Sequence, residues 1–324
     1  MTDSNSLRLF IEKTLRGKLK PASIRYNEPM FRHTTFKTGG NADVWLRPGK
    51  ENFPACAAAL LAAARAEGIP VFILGGGANL LVSDRGIRGI VLDTGAWRGI
   101  GKREEMTAVA GRGKPFSVKI LSGTSVDGMC ERLALRGLSG MEFLAGMPGS
   151  VGGAVWMNAR CYEKEIADVL LETEILDEEF KPLLVPYNAE DFGYKKSPYQ
   201  KRGVLILSAR FALEFKSASD IRKEMAEHRR ERREKGHYSA PSAGSVFKNN
   251  RDFGAPTGKI IGDLGLRGLS SGGAQLAPWH GNIIINTGGA SSADIRSLIG
   301  KISDKVKEEK GFNLEPEIIF AGEW

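Results

Sequence analysis

Ser245, Lys248, Asn249 and Asn250 place a hydroxyl, an ammonium and two amides inside one short stretch, Pro241-Ser-Ala-Gly-Ser-Val-Phe-Lys-Asn-Asn250. A serine hydroxyl with cationic neighbours in a low-dielectric site can deliver a proton to a reacting carbon. The same composition also builds an ordinary polar turn, with Ser245 satisfying a backbone group. Further stretches of three kinds bear on chemistry. The tail Leu314-Glu-Pro-Glu-Ile-Ile-Phe320 holds two carboxylates, and the loop Asp191-Phe-Gly-Tyr-Lys-Lys-Ser-Pro198 is aromatic and basic. The third kind is glycine-rich: Gly75-Gly-Gly-Ala-Asn-Leu-Leu81, and the run from Gly140 to Ala159.

The first glycine loop follows a buried strand expected at Val71–Leu74. Before it come a strand at Ala42–Leu46 and a helix at Phe53–Glu67 stopped by Gly68; after it comes a strand at Gly89–Asp93. This is not the dinucleotide fingerprint. There is no G-x-G-x-x-G, and Val82-Ser-Asp-Arg-Gly86 breaks the chain before any long helix can start. Successive N–H groups can instead cradle a diphosphate, although three glycines also suit a plain turn. In the second stretch Pro148 can open a short helix. Two such stretches fit an elongated cofactor with a phosphate bridge.

Periodicity predicts the remaining elements. A basic helix covers 7–19, a strand Met106–Ala110, and a helix Phe116–Gly137 with Val118, Leu121, Val126, Met129 and Leu133 apolar. Strands follow at Val169–Leu176, Lys181–Pro186 and Val204–Leu213. The charged helix Ala218–Lys235 is the expected connector to a further α+β region. That region holds a helix at Lys259–Leu264, a strand after Gly272, a strand at Asn282–Asn286 and a helix at Ser292–Gly311. A last strand, Leu314–Phe320, would put Glu315 and Glu317 on one face.

The 324 residues suggest two to three domains. With 42% hydrophobic and 26% charged residues the composition is that of a globular protein. The net charge is +8, but the bases alternate with acids, as in Arg230-Glu-Arg-Arg-Glu234. An anionic small substrate or cofactor accounts for this better than nucleic acid, for which no motif is present. Cys56, Cys130 and Cys161 are widely spaced, which argues against a disulfide framework and a metal site. The polar N-terminus is not a signal peptide, and the apolar runs are strand-sized, so a cytoplasmic protein with no membrane partner is expected. The oligomeric state stays open, a monomer being compatible with the chain.

Seven stretches in order resemble the UDP-N-acetylenolpyruvoylglucosamine reductase family. They are Thr35-Phe-Lys-Thr-Gly-Gly-Asn-Ala42, Leu74–Leu81, Met147-Pro-Gly-Ser-Val-Gly-Gly-Ala154 with Met157-Asn158, Phe192-Gly-Tyr194, Pro241–Ser245 with Phe247-Lys-Asn249, Gly272-Gly-Ala-Gln275 with His280 and Asn282, and Leu314-Glu-Pro-Glu317. The lack of an insertion after Tyr194 looks like the shorter of the family's two architectures. The resemblance implies an α+β fold: a two-part FAD-binding region of the vanillyl-alcohol-oxidase (PCMH) type plus a smaller α+β substrate-binding domain. The expected divisions are 1–100 with the tail 313–324 returning to it, 101–217, and 218–312.

The resemblance also implies FAD, with NADPH as electron donor and UDP-N-acetylglucosamine enolpyruvate as substrate. Hydride would pass from NADPH to flavin N5 and then to the substrate's C3, and Ser245 would protonate C2. Catalytic roles fall on Ser245, Glu317 and Lys195. Cofactor contacts fall on Gly75, Gly76, Gly77, Ala78, Asn79, Leu80, Met147, Pro148, Gly149, Ser150, Gly152, Gly153 and Ala154. Substrate contacts fall on Tyr194, Lys248, Asn249, Gln275, His280 and Arg160. His280 alone reads as a structural hydrogen-bonding histidine. No metal is implied.

The chain departs from the family pattern in three places. Lys195 stands where arginine is usual, keeping the charge but losing the planar fork. Arg160-Cys161 replaces a glycine–alanine pair, and Arg160 is expected to reach the cleft and substitute in part for the lost guanidinium. Ser270 stands where a base is common. Two other readings compete with the reductase: another flavin oxidase or dehydrogenase, and a non-catalytic nucleotide-binding paralogue.

Overall fold

The structure is a computed structural model that describes residues 4–17, 23–107 and 112–324. Contacts divide the chain into two compact units. Unit 1 comprises 1–26, 44–76 and 89–230; unit 2 comprises 27–43, 77–88 and 231–324. The chain is α+β. Among the described residues no helix is long and apolar enough to cross a membrane.

Unit 1 has two cores. In the first, α1 (Ser4–Leu15) and α2 (Phe53–Ala66) pack beside the parallel strands Val71–Leu74 and Ile87–Asp93. The α2 residues Phe53, Cys56, Ala57, Leu60 and Ala64 are buried at helical spacing, against Leu7, Phe10 and Ile11 of α1. Each such large side chain contributes about 1.5–3 kcal/mol by leaving water. Gly68, at φ +64°, ends the helix as its sequence position predicts. Val71, Phe72 and Ile73 are half-buried rather than buried.

The second core lies against an antiparallel sheet ordered Pro182–Pro186, Leu170–Leu176, Leu205–Phe215, Phe116–Leu121, Ile100–Glu105. Here the predicted helix over 116–137 divides. Phe116–Leu121 is a strand paired with Leu205–Phe215, from Ser208 opposite Leu121 to Leu213 opposite Phe116. Only Val126–Ala134 is helical (α3). Val118 and Ile120 are buried two residues apart, a strand period, and β-branched side chains suit the pleated surface. The Ser125 hydroxyl then starts α3 by accepting from Gly128 N at 3.2 Å. The strand predicted at Met106–Ala110 falls mostly outside the described residues; the strand observed there ends at Glu105. Residues 18 and 19 of the predicted N-terminal helix also lie outside them.

In the second glycine stretch, Ser150 and not Pro148 opens the six-residue α4 (Val151–Trp156), accepting from Gly153 N. α5 (Ala218–Glu234) buries only Ile221 and Met225.

Unit 2 carries a four-stranded antiparallel sheet ordered Ser242–Ser245, Ile283–Asn286, Ala274–Leu276, Ser270–Ser271, with α6 (Thr257–Asp263) and α7 (Ser292–Lys310). α7 buries Ile295, Leu298, Ile299, Ile302 and Val306 against Ile284, Leu276 and Val246. It starts with a Ser291–Asp294 capping box and ends at Gly311 in the left-handed region. The terminal strand is shorter than predicted. Only Ile319–Ala321 is a strand, parallel to Leu80–Val82. Glu315 and Glu317 lie just before it, on either side of Pro316, which makes an isolated bridge with Phe247.

Candidate functional site

Several glycines of the two loops are required by close approach of neighbouring atoms. In unit 1 a Cβ on Gly76 would lie 2.5 Å from Gly149 Cα, and one on Gly75 2.6 Å from Ser150 Oγ. In unit 2 Gly77 has φ +62°, and a Cβ there would lie 1.9 Å from His33 O. Several N–H groups of these loops stay open. Those of Gly76 and Gly149 in unit 1, and of Gly77 and Ala78 in unit 2, make no hydrogen bond among the described residues. Open main-chain donors on such backbone are what a diphosphate needs, so the residues present fit a phosphate-bridged cofactor.

Other residues of the loops are occupied by the fold. Asn79 Nδ2 donates to Glu317 O at 3.0 Å, and Leu80 pairs with Ile319. Met147 N donates to Leu144 O, and Gly152 N to Ser122 O at 2.8 Å. A Cβ on Gly152 would meet Ser122 Cβ at 2.8 Å. Ala154 is buried on α4.

A second set of candidates sits on a tight turn in unit 1. Gly193 and Lys196 exchange two main-chain hydrogen bonds (3.1 and 3.0 Å), leaving Tyr194 and Lys195 at the tip. Lys195 takes φ +56°, a left-handed conformation unusual for a residue with a Cβ. The turn is tied down from α4's end. Asn158, wholly buried, donates from Nδ2 to Gly193 O (2.8 Å) and accepts from Ala167 N (3.0 Å). Ser197 Oγ donates to Trp156 O (2.7 Å), and Gln200 Nε2 to Lys195 O (3.0 Å). Tyr194 is 40% exposed, and the Arg160 guanidinium lies 5.8 Å over its ring. Arg160, over thirty residues earlier in sequence, is thus brought to the turn that carries Tyr194 and Lys195.

The third set is in unit 2. Ser245 ends its strand opposite Ile283. Next to it, Glu317 N donates to Val246 O at 2.7 Å, Lys248 N to Glu315 O at 2.9 Å, and Phe247 faces Pro316 across an isolated bridge. The tail therefore runs along the main chain that follows Ser245, bringing Glu317 beside it. Asn282 fixes the same segment. Its Nδ2 donates to Phe247 O (2.8 Å) and its Oδ1 accepts from Phe247 N (2.9 Å), as a strand partner would. Its carbonyl accepts from Val246 N.

Several residues expected to touch substrate are engaged locally. Lys248 Nζ pairs with Glu315 Oε1 at 2.6 Å. Asn249 Oδ1 accepts from Thr257 N at 2.9 Å, at the start of α6. Gln275 Nε2 donates to Gly268 O and Ser270 Oγ. His280 Nδ1 accepts from Asn282 N at 3.0 Å, which requires that nitrogen to be unprotonated. Burial holds the His280 pKa below the ordinary histidine value, with Arg267 and Lys235 adding to the effect. His237, 6.0 Å away ring to ring, is lowered to about 4 by burial and by Arg232. The Cys56 and Cys130 thiols are buried, and desolvation raises the Cys130 pKa, leaving it unreactive.

Asn158, Asn282 and Asn79 are the residues whose positioning role the sequence alone does not reveal. All three stood inside quoted stretches, as Leu74–Leu81, Met157-Asn158 and His280-x-Asn282. An amide beside a turn and next to apolar runs is the available signal, because such a side chain can replace two main-chain partners.

Comparison with known proteins bears on the same elements. A family model described as an FAD binding domain matches residues 54–179. One described as UDP-N-acetylenolpyruvoylglucosamine reductase, C-terminal domain, matches 236–321. A reductase of that name from Treponema denticola is 41% identical over 314 residues, covering 93% of this chain and 94% of its own. One from Caldanaerobacter subterraneus is 40% identical over 311 residues, covering 95% and 97%. The crystal structure of the Thermus caldophilus reductase aligns with a TM-score of 0.71 at 29% identity, covering 92% of this chain and 98% of that one. The family, the FAD-binding fold and the α+β class expected from the sequence are thereby borne out. The chain belongs to the UDP-N-acetylenolpyruvoylglucosamine reductase family.

Proposed function

We propose that this oxidoreductase reduces the enolpyruvyl group of UDP-N-acetylglucosamine enolpyruvate to give UDP-N-acetylmuramate for peptidoglycan, with Ser245 as the proton donor to C2. FAD, reduced by NADPH, supplies the hydride that reaches C3. The open N–H groups of Gly76 and Gly149 would hold the cofactor's anionic part.

Negative charge develops beside the substrate carboxylate as C3 is reduced. Lys195 and the Tyr194 hydroxyl stabilise it at the carboxylate oxygens. Ser245 passes its proton to C2, and Glu317 is the carboxylate held at its side. The observation that carries this reading is the Glu317 N to Val246 O hydrogen bond, which brings the main chain of Glu317 beside the residue that follows the proton donor. Asn79 and Asn282 support it by fixing both partners through main-chain atoms.

The test is anaerobic. NADPH should bleach the flavin absorbance, and the enolpyruvyl substrate should then restore it. A protein that binds no flavin, or that stays bleached, contradicts the assignment. A bleached protein reoxidised by oxygen but not by the enolpyruvyl compound would favour another oxidase. We further propose that it works as a cytoplasmic enzyme on this small UDP-sugar, without nucleic acid or membrane as partner.

A further inference from the structure

Arg160 differs from the other half-buried arginines of unit 1. Arg202 forks onto Glu178 with hydrogen bonds of 2.5 and 2.9 Å. Arg229 binds Asp127 and Glu131, each at 2.5 Å. Arg112 donates to Ala167 O and Leu170 O. The Arg160 guanidinium makes no hydrogen bond among the described residues; Glu165 Oε2 comes only within 3.7 Å. That carboxylate already caps the turn Ile166–Asp168.

The Arg160 side chain is nevertheless only 29% exposed. A guanidinium has five donors, and leaving them short of acceptors in a partly dry place costs free energy until a polar group arrives. The short hairpin Arg160–Cys161/Lys164–Glu165 fixes the backbone from which it reaches. Its guanidinium covers the face of Tyr194, the residue before Lys195 on the turn that Asn158 anchors.

We propose that Arg160 is a ligand for the substrate's carboxylate, acting with Lys195; this rests on the function proposed above. A planar fork can take both carboxylate oxygens at once, whereas an ammonium offers a point charge without a fixed plane. Arg160 sets the orientation of the carboxylate, and Lys195 adds charge.

Binding of the enolpyruvyl substrate to the oxidised protein is measured by calorimetry, alongside turnover. Arg160→Ala should weaken binding and raise the substrate KM about ten- to hundredfold, the value of a charged hydrogen-bonded contact. The rate of bleaching by NADPH and the KM for NADPH should stay unchanged. Lys195→Arg added to Arg160→Ala should recover part of the lost affinity. Arg160→Gln, which keeps length and polarity without charge, repeats the test if the alanine variant melts early. Wild-type affinity in a folded Arg160 variant, or a loss confined to NADPH, overturns the proposal. Failure of the wild-type protein itself to bind or turn over the substrate overturns the functional reading instead.

Discussion

The segment after Ser245 and the turn that presents Tyr194 and Lys195 are built on opposite plans. After Ser245 every available group is stapled. Phe247 has both main-chain groups on the Asn282 amide, Val246 is bonded to Asn282 and Glu317, and Lys248 is paired with Glu315. At the turn the staples from Asn158, Ser197 and Gln200 all go to main-chain atoms. Beside it lies the Arg160 guanidinium, with no hydrogen-bond acceptor among the described residues. A proton donor must be held where the proton is needed, and fixed main chain does that. A cation that receives an anion must keep its donors unspent until the anion comes.

The hydroxyl at the fixed segment gives the largest expected effect. Ser245→Ala should lower turnover by about 10²–10⁴-fold, the usual worth of a positioned acid. Anaerobic bleaching by NADPH should be intact; its loss would show that Ser245 serves the wrong half of the reaction.

Asn282→Ala attacks the staple and not the chemistry. It strips both partners from buried Phe247 and should cost about 2–4 kcal/mol of stability, read as a lower denaturant midpoint. Turnover should fall as well; full activity in a destabilised variant would break the idea that this staple positions Ser245.

Asn158→Ala is the matching cut at the turn. It orphans Gly193 O and Ala167 N and should cost about 1–3 kcal/mol. Substrate KM should rise more than kcat falls, since the turn binds and Ser245 reacts; the reverse pattern would blur the distinction.

Acid should loosen unit 2 through its histidines. His237 is depressed to about 4, and His280 is also depressed, so the unfolded chain binds more protons between its ordinary value near 6.5 and about 4. Stability is therefore complete above about 6.5 and falls as pH drops toward 4. The groups facing His237 include Arg232, Lys235, His280 and Glu231. His237→Gln should flatten this slope in melts recorded from pH 7 to 4.5; an unchanged slope would place the sensitivity elsewhere.

The smallest effect belongs to the exposed ion pair. Glu315 is 71% exposed in its side chain, so Glu315→Gln should change stability by less than about 1 kcal/mol. A larger loss on titration with denaturant would mean that Lys248 depends on that carboxylate to keep the Ser245 segment in place.

Much of this protein was legible in order along the chain. Gly68 and Gly311 end α2 and α7 where the apolar periodicity stops, and the strands expected at 169–176, 181–186 and 204–213 are found at 170–176, 182–186 and 205–215. Seven short stretches in sequence order identified the family and, with it, the flavin fold. These features depend on neighbours within a few residues, so one-dimensional pattern carries them.

The failures share a cause. The 116–137 region has apolar residues that satisfy both a helical and a strand period, and the open edges of neighbouring strands decided for a strand over 116–121. The tail was read as one strand, but only Ile319–Ala321 is one; before it the pairing shrinks to an isolated bridge between Pro316 and Phe247, which leaves Glu315 and Glu317 ahead of the strand.

The sequence alone determined which residue types this chemistry has available: the serine, the glutamates, the lysine on its turn and the glycines that admit close main-chain approach. Only the tertiary structure decided their partners. Lys248, Asn249, Gln275 and His280 are occupied by local contacts, Glu317 is drawn to Val246 from the far end of the chain, and Arg160 is left over Tyr194 without a hydrogen-bond acceptor among the described residues. Whether a polar side chain is spent or spare depends on which main-chain groups the fold leaves unsatisfied nearby, and those are fixed by contacts between residues distant in sequence.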